Sequence, residues 1–429
     1  MRTSRRLIRP ALLALGIGLL AGACARRPAS GDSTIAASPV VTLAVRGAQN
    51  TGASVASAGY RVVVTWAATI ADQTNIYAAV SDDDARTFGA PVRVNDIDND
   101  ARVSGEQAPR VSIGHDLVVA WTSRLSGTSH VRSARSTDGG RTFVAAKTLH
   151  AADVTGSRGW LSLTTSPDNA VHAVWLDGRD AKHESAGTRA GAPHVMRQDI
   201  FHAMWRPDGT FTNGRIASNV CFCCKTGVTT AADGTIYAAW RHIYPTNLRD
   251  IAVASSTDGG LTFSEPVRVS EDHWQINGCP EDGPSIATSA DGVLHVAWPT
   301  VMQEPAKKAV FYTFSADGGK TFAPRTRLDD AGDLTAARPH LSAGSSGATV
   351  VWQESGTDAY RIRVREITAG GAGPRHWAPR TGPTLLHSGT SVATYPSVAV
   401  APAGTIVAWA SRSDAASEIH VQRIDRPRP

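Results

Sequence analysis

The least generic chemistry in this sequence is sulfur. Cys221, Cys223 and Cys224 form a C-F-C-C run, and Cys279 sits in N-G-C-P. Thiols grouped in this way can close into two disulfides, hold a soft metal such as copper or zinc as thiolates, or exchange sulfur bonds as a redox group. An oxidising compartment favours the disulfides, although four cysteines allow three pairings and a bridge inside C-F-C-C is strained. The spacing is not that of a zinc finger, and no H-x-x-x-H completes one. The run and Cys279 each precede a strand unit, and the two units are neighbours. The four sulfurs are therefore expected to lie close together.

Charged and aromatic residues gather in the same part of the chain. The stretch from Leu176 to Gln198 carries Asp177, Arg179, Asp180, His183, Glu184, Arg189, His194 and Arg197. One unit later come Arg241, His242, Tyr244, Arg249 and Asp250, and one later again Asp272, His273, Trp274, Glu281 and Asp282. Arginine suits a carboxylate and an aromatic ring suits stacking, so the set reads as a rim for a polar, anionic ligand. Arg179, Arg241, His242, Arg249, His273 and Trp274 are the binding candidates. Asp177, Arg179, Asp180, Arg241, Tyr244, Asp250, Glu281 and Asp282 are the catalytic candidates. The competing reading is a solvated surface with local ion pairs.

A repeat must position these residues. Trp66, Trp121, Trp175, Trp240, Trp298, Trp352 and Trp409 each end a short apolar strand, such as VVVTW, LVVAW or TIVAW, about 57 residues apart on average. A first strand precedes most of them (109–113, 284–288, 339–343, 396–400), and a third follows (75–81, 130–136, 250–256, 309–315). Short β-branched runs between Gly, Asp, Ser and Pro, with almost no helical periodicity, predict an all-β chain. Four-stranded antiparallel blades in radial repetition make a β-propeller. Seven blades are expected, with six as the alternative. The last unit stops at EIHVQRI (418–424), without a fourth strand. The N-terminal run VVTLAV (40–45) is expected to supply it and close the last blade.

The turns after the third strands read SDDDARTF (81–88), STDGGRTF (136–143), STDGGLTF (256–263) and SADGGKTF (315–322). In each, an Asp (Asp83, Asp138, Asp258, Asp317) is placed to accept the N–H groups of its own turn, a Gly to take positive φ, and an aromatic to insert between sheets. These aspartates read as structural. Propeller topology puts them on the face away from the connections between units, where ligands sit.

These boxes and tryptophan strands resemble the sialidase and BNR (Asp-box) repeat superfamily over nearly the whole body. In that superfamily an arginine triad holds the substrate carboxylate, a tyrosine assisted by a glutamate attacks, and an aspartate is the acid/base. The first triad arginine there belongs to an Arg-Ile-Pro motif ahead of the first box. The same region here reads GYRVVVTW (59–66), and Arg61 has no Ile-Pro after it. Tyr244, Tyr312, Tyr360 and Tyr395 all remain open for the tyrosine role.

Arg2, Arg5, Arg6 and Arg9, the apolar run Ala11 to Leu20 and small residues before Cys24 form a lipoprotein signal over 1–23. Cys24 is the expected lipidation site, and 24–39 reads as a flexible tether ahead of the propeller at 40–429. Setting the four signal arginines aside, the formal charge of +5 falls to about +1, which gives no reason to invoke nucleic acid. The expectation is a monomeric, sialidase-like lipoprotein in the cell envelope, facing the periplasm or on the outer membrane, that binds a glycan or another small anionic ligand. An active exo-α-sialidase-type glycoside hydrolase and a cysteine-based copper or zinc scaffold are the alternatives.

Overall fold

The computed structural model describes residues 37–426, apart from 105, 126, 151–154, 181–196, 277–279, 303–306, 346, 371–376, 381 and 415. The signal segment, Cys24, most of the tether, Cys279, and His183, Glu184, Arg189 and His194 lie outside the described residues. The fold is all-β, built of antiparallel sheets mostly four strands wide. Among the described residues the one helical element is the short turn Pro245–Asn247.

The first sheet is typical. Gln49–Ala58 pairs with Arg61–Ile70, that with Gln73–Ser81, and that with Val92–Arg93. The same order recurs along the chain. Two four-strand sets, one beginning at Arg158–Thr165 and one at Gly227–Thr230, are joined into a single eight-stranded sheet by the pairing Val220↔His242. The last sheet begins at Val392–Ala401, and its outer strand is Val41–Leu43, paired with Ser417–Asp425 through Val41↔Val421 and Leu43↔Ile419. The chain's two ends thus share one sheet, as the missing last strand required.

All seven repeat tryptophans are fully buried. The core is divided into clusters, most of them lying between consecutive four-strand sets. Trp66 packs with the Ala399, Ile406 and Val421 side chains of the last sheet, Trp121 with Val63 and Ile76 of the first. First strands touch in succession, and Gln49–Ala58 touches Val392–Ala401. A cavity of about 330 Å³ is lined by all seven first strands, from Ser54–Ser57 to Val398–Val400.

The box turns are stiff for the reason their sequence gives. Asp138 Oδ1 accepts the N–H groups of Arg141 and Thr142 at 3.0 Å, and its Oδ2 accepts the Thr142 hydroxyl at 2.6 Å. In the first box Ala85 stands in the Gly place at φ 62°. Phe143 packs into the core between its own sheet and the one before it, and Phe263 into the core between the two strand sets of the eight-stranded sheet. Strand register separates the ends. Ile236 pairs with Ser256 at the box end, Tyr244 with Leu248 at the other, and Val220, next to Cys221, with His242. Cysteines and boxes therefore lie at opposite ends of the strands.

Candidate functional site at the mouth of the first strands

Much of the rim expected to meet a ligand is instead occupied in holding the fold. A buried indole N–H needs an acceptor. Asp177, fully buried, accepts that of Trp175 at 2.9 Å, together with Arg158 at 3.1 Å and Arg179 at 2.7 Å. Asp272 accepts that of Trp298 at 2.6 Å. Half-buried His242 accepts that of Trp240 at 3.2 Å, and burial pulls its imidazole down to about 4, so it is neutral at pH 7. Asp250 is buried against Arg268. Arg241 is wholly buried. It donates to the carbonyls of Arg249, Asp282 and Pro299 at 2.9, 3.1 and 2.8 Å and lies 4.5 Å over buried Trp274. Arg249 donates to the Cys221 sulfur at 3.4 Å. The polar groups of Asp177, Asp250, Arg241, His242 and Arg249 are thus engaged within the fold, and Trp274 is buried beneath Arg241.

The remaining rim residues are scattered. Asp180 is exposed near Arg215 at 3.8 Å, and His273 is 3.7 Å from Glu271. Tyr244 lies under the Arg268 guanidinium, 4.8 Å away, and burial pushes its phenol up to about 12. Arg61 pairs with Asp82 at the box end, and Tyr312 is buried against His295 Nδ1 at 2.7 Å. Of the four open tyrosines, Tyr395 lines a small pocket that shares Arg110, Lys225 and His340 with the cavity.

That end carries a cluster the sequence reading did not assemble. Glu106 and Lys225 are both about 5% exposed, and their charges meet at 3.0 Å. Lys225 Nζ also donates to the Pro339 carbonyl at 2.7 Å, and Glu106 accepts the Gly283 N–H at 3.0 Å. Asp282, fully buried, accepts the Arg338 N–H at 3.1 Å and stands 3.4 Å from Lys308. Burial, and then the Glu106 charge, raises its carboxyl above the usual range. Arg110 donates to the carbonyls of Leu161 and Glu106. Arg338 stacks its guanidinium 4.2 Å over the Tyr395 ring and makes no side-chain hydrogen bond among the described residues. A small pocket of about 20 Å³ is lined by Glu106, Arg110, Lys225, Arg338, His340 and Tyr395.

Backbone strain marks the same place. Four first strands break register between Thr51 and Ser54, Gly159 and Ser162, Ala337 and His340, and Thr394 and Ser397. Such bulges re-aim a side chain. The residue at positive φ is Gly52 in one, but Trp160, Arg338 and Tyr395 in the others, at 51°, 55° and 54°. Bulky residues resist that conformation, and strain of this kind collects at functional sites. A sequence signal did exist. Gly283, Arg338 and Tyr395 each stand directly before a proline at the start of a first strand.

The cysteines lie behind the mouth. Cys223 is disulfide-bonded, while Cys221 and Cys224 are free thiols with sulfurs 3.7 Å apart. Of the disulfide, metal and redox readings of the four cysteines, the free thiols of Cys221 and Cys224 depart from the two-disulfide one. Hydrogen bonding from Cys224 lowers the Cys221 thiol, helped by Arg249, and burial raises Cys224.

No family model matches the sequence, and no curated protein matches it. Among solved structures, an ulvan lyase of a polysaccharide lyase family, bound to -[GlcA(1-4)Rha3S]-, is similar at TM-score 0.54 and 10% identity, covering 90% of this chain and 96% of that one. A protein of unknown function from Dyadobacter fermentans has TM-score 0.50 and 13% identity, covering 91% and 99%. A leech intramolecular trans-sialidase has TM-score 0.48 and 11% identity, covering 85% and 82%. At such identities the likeness is one of fold alone.

Proposed function

We propose that the chain is a seven-bladed, closed β-propeller of sialidase-like type, anchored in the cell envelope through Cys24, that binds a glycan or another anionic ligand at the mouth of its first strands. The observation that carries the binding reading is the pair Arg338 and Tyr395, both held at strained positive φ and both lining one pocket, with the Arg338 donors unspent. A guanidinium on an aromatic face offers a carboxylate or sulfate two N–H donors and a sugar ring a stacking surface. The ring reading is supported by the succession of first-strand contacts that returns to its start, and by the sheet that holds both chain ends.

The test is titration of acidic and neutral oligosaccharides into the purified body. Arg338→Ala is expected to weaken binding of the acidic ones tenfold or more, about 1.4 kcal/mol, while Arg61→Ala at the far end has no effect. Equal affinity for neutral sugars, or an Arg338→Ala protein that binds like its parent, refutes the reading. The hydrolase alternative keeps one observation in its favour, that Tyr395, Arg338 and Glu106 line the same pocket. Release from a fluorogenic sialoside, lost in Tyr395→Phe, would establish it. Membrane fractionation of the parent and of Cys24→Ala tests the anchor.

A further inference from the structure

We propose that Cys221 and Cys224 form a buried two-thiolate site for one Cu(I) ion, separate from the glycan-binding mouth. The two sulfurs are 3.7 Å apart and both cysteines are fully buried. The Cys223 sulfur completes a group lying within 4.8 Å, but it is already committed to a disulfide. No carboxylate or imidazole joins this group among the described residues. Ile243, and half-buried Trp160 and Phe222, pack around it.

The donor set chooses the metal. Calcium and magnesium require oxygen ligands. Structural Zn(II) takes four ligands, and two thiolates leave it half coordinated. A soft monovalent ion is satisfied by soft thiolates. The charge also fits. Two thiolates and one Cu(I) carry a net charge of −1, and Arg249 Nη1 stands 3.4 Å from the Cys221 sulfur, with buried Arg241 bonded to the Arg249 carbonyl. On binding, two Cu–S bonds form, the two thiol protons leave for solvent, and copper stays Cu(I), so no electron moves. The competing fate is a Cys221–Cys224 disulfide, which would give up two electrons to an external oxidant.

The experiment uses the whole secreted body with its disulfide intact. Under anaerobic conditions, Cu(I) is titrated against a chromophoric chelator. One ion per chain with sulfur-only coordination by X-ray absorption is expected, lost in Cys221→Ser and in Cys224→Ser and kept in Arg338→Ala. Because the serine variants could misfold, the unaltered protein supplies a second readout: its Tm rises with Cu(I), and likewise with redox-inert Ag(I). No copper retained against the chelator, nitrogen or oxygen in the coordination shell, or a Cys221–Cys224 disulfide in freshly purified protein overturns the proposal.

Discussion

Lys225→Met isolates the charge lock at the mouth. Lys225 and Glu106 are buried, meet at 3.0 Å, and come from segments 119 residues apart. Removing the ammonium leaves the Glu106 carboxylate in a low-dielectric site with the Gly283 N–H as its one remaining hydrogen-bond donor among the described residues. Breaking a buried pair from one side costs about 3–5 kcal/mol. At about 2.1 cal/mol/K of unfolding entropy per residue, a body near 390 residues loses roughly 1.2 °C of Tm per kcal/mol, so the expected fall is about 4–6 °C. Glu106→Gln added to Lys225→Met removes the stranded charge yet still accepts from Gly283. The double variant should return to within about 2 °C of the parent. Calorimetry of the parent, the single variant and the double variant decides this. A single variant as stable as the parent, or a double no better than the single, refutes the lock.

Acid should unfold the protein in two stages. Burial pulls His172 and His295 down to about 4 and His202 to about 3. Their contribution is present above about 6.5 and is lost as pH falls through those values. The box carboxylates follow below about 4. Hydrogen bonds from Thr87 lower Asp83 to about 2, so its contribution disappears as pH drops toward that value. Tm against pH for His202→Phe should lack part of the upper stage. Gly260→Ala places a Cβ 2.1 Å from the His202 ring at φ 88°, whereas Gly234→Ala at φ 87° meets nothing. The first should cost several kcal/mol and the second about 1–2, measured by denaturant titration. Asp177→Ala removes the buried carboxylate that accepts from Arg158, Arg179 and the Trp175 indole and should cost about 3–5 kcal/mol. Exposed Asp180→Ala should stay within about 0.5 kcal/mol.

The parts of the fold legible in the sequence are those whose physics is local. A box turn is solved within eight residues, since Asp138, its hydroxyl donor and its glycines all stand in STDGGRTF. The outer N-terminal strand was legible by counting, because Ser417–Asp425 needed a partner. The mouth was not. Glu106 and Lys225 are 119 residues apart and meet only when separate sheets come together, and nothing local to either residue signals the other. The bonding of the rim residues was hidden for a related reason. Charged residues near tryptophans looked solvated, but Asp177, Asp272 and His242 stand where an indole N–H must be satisfied. Charge density in a strand-end segment therefore does not by itself separate a ligand rim from a set of indole acceptors.

The lock and the strained residues form one device. The backbone on both sides of Arg338 is tied to buried charges: its own N–H to Asp282 and the Pro339 carbonyl to Lys225. Strain persists only where the surroundings over-determine it. The satisfied pair Glu106–Lys225 is therefore scaffolding, and Arg338 is the member of the cluster whose side chain makes no hydrogen bond among the described residues. The order of two substitutions tests this. At an ordinary strand position Gly is less stable than Ala by about 0.5–1 kcal/mol. At φ 55° the positive-φ cost of about 1–2 kcal/mol reverses the preference. Arg338→Gly should therefore be more stable than Arg338→Ala by roughly 1 kcal/mol in denaturant titration, while both lose the acidic ligand equally. If Ala proves the more stable, the backbone at Arg338 is unstrained in solution, and the strain argument for the mouth fails with it.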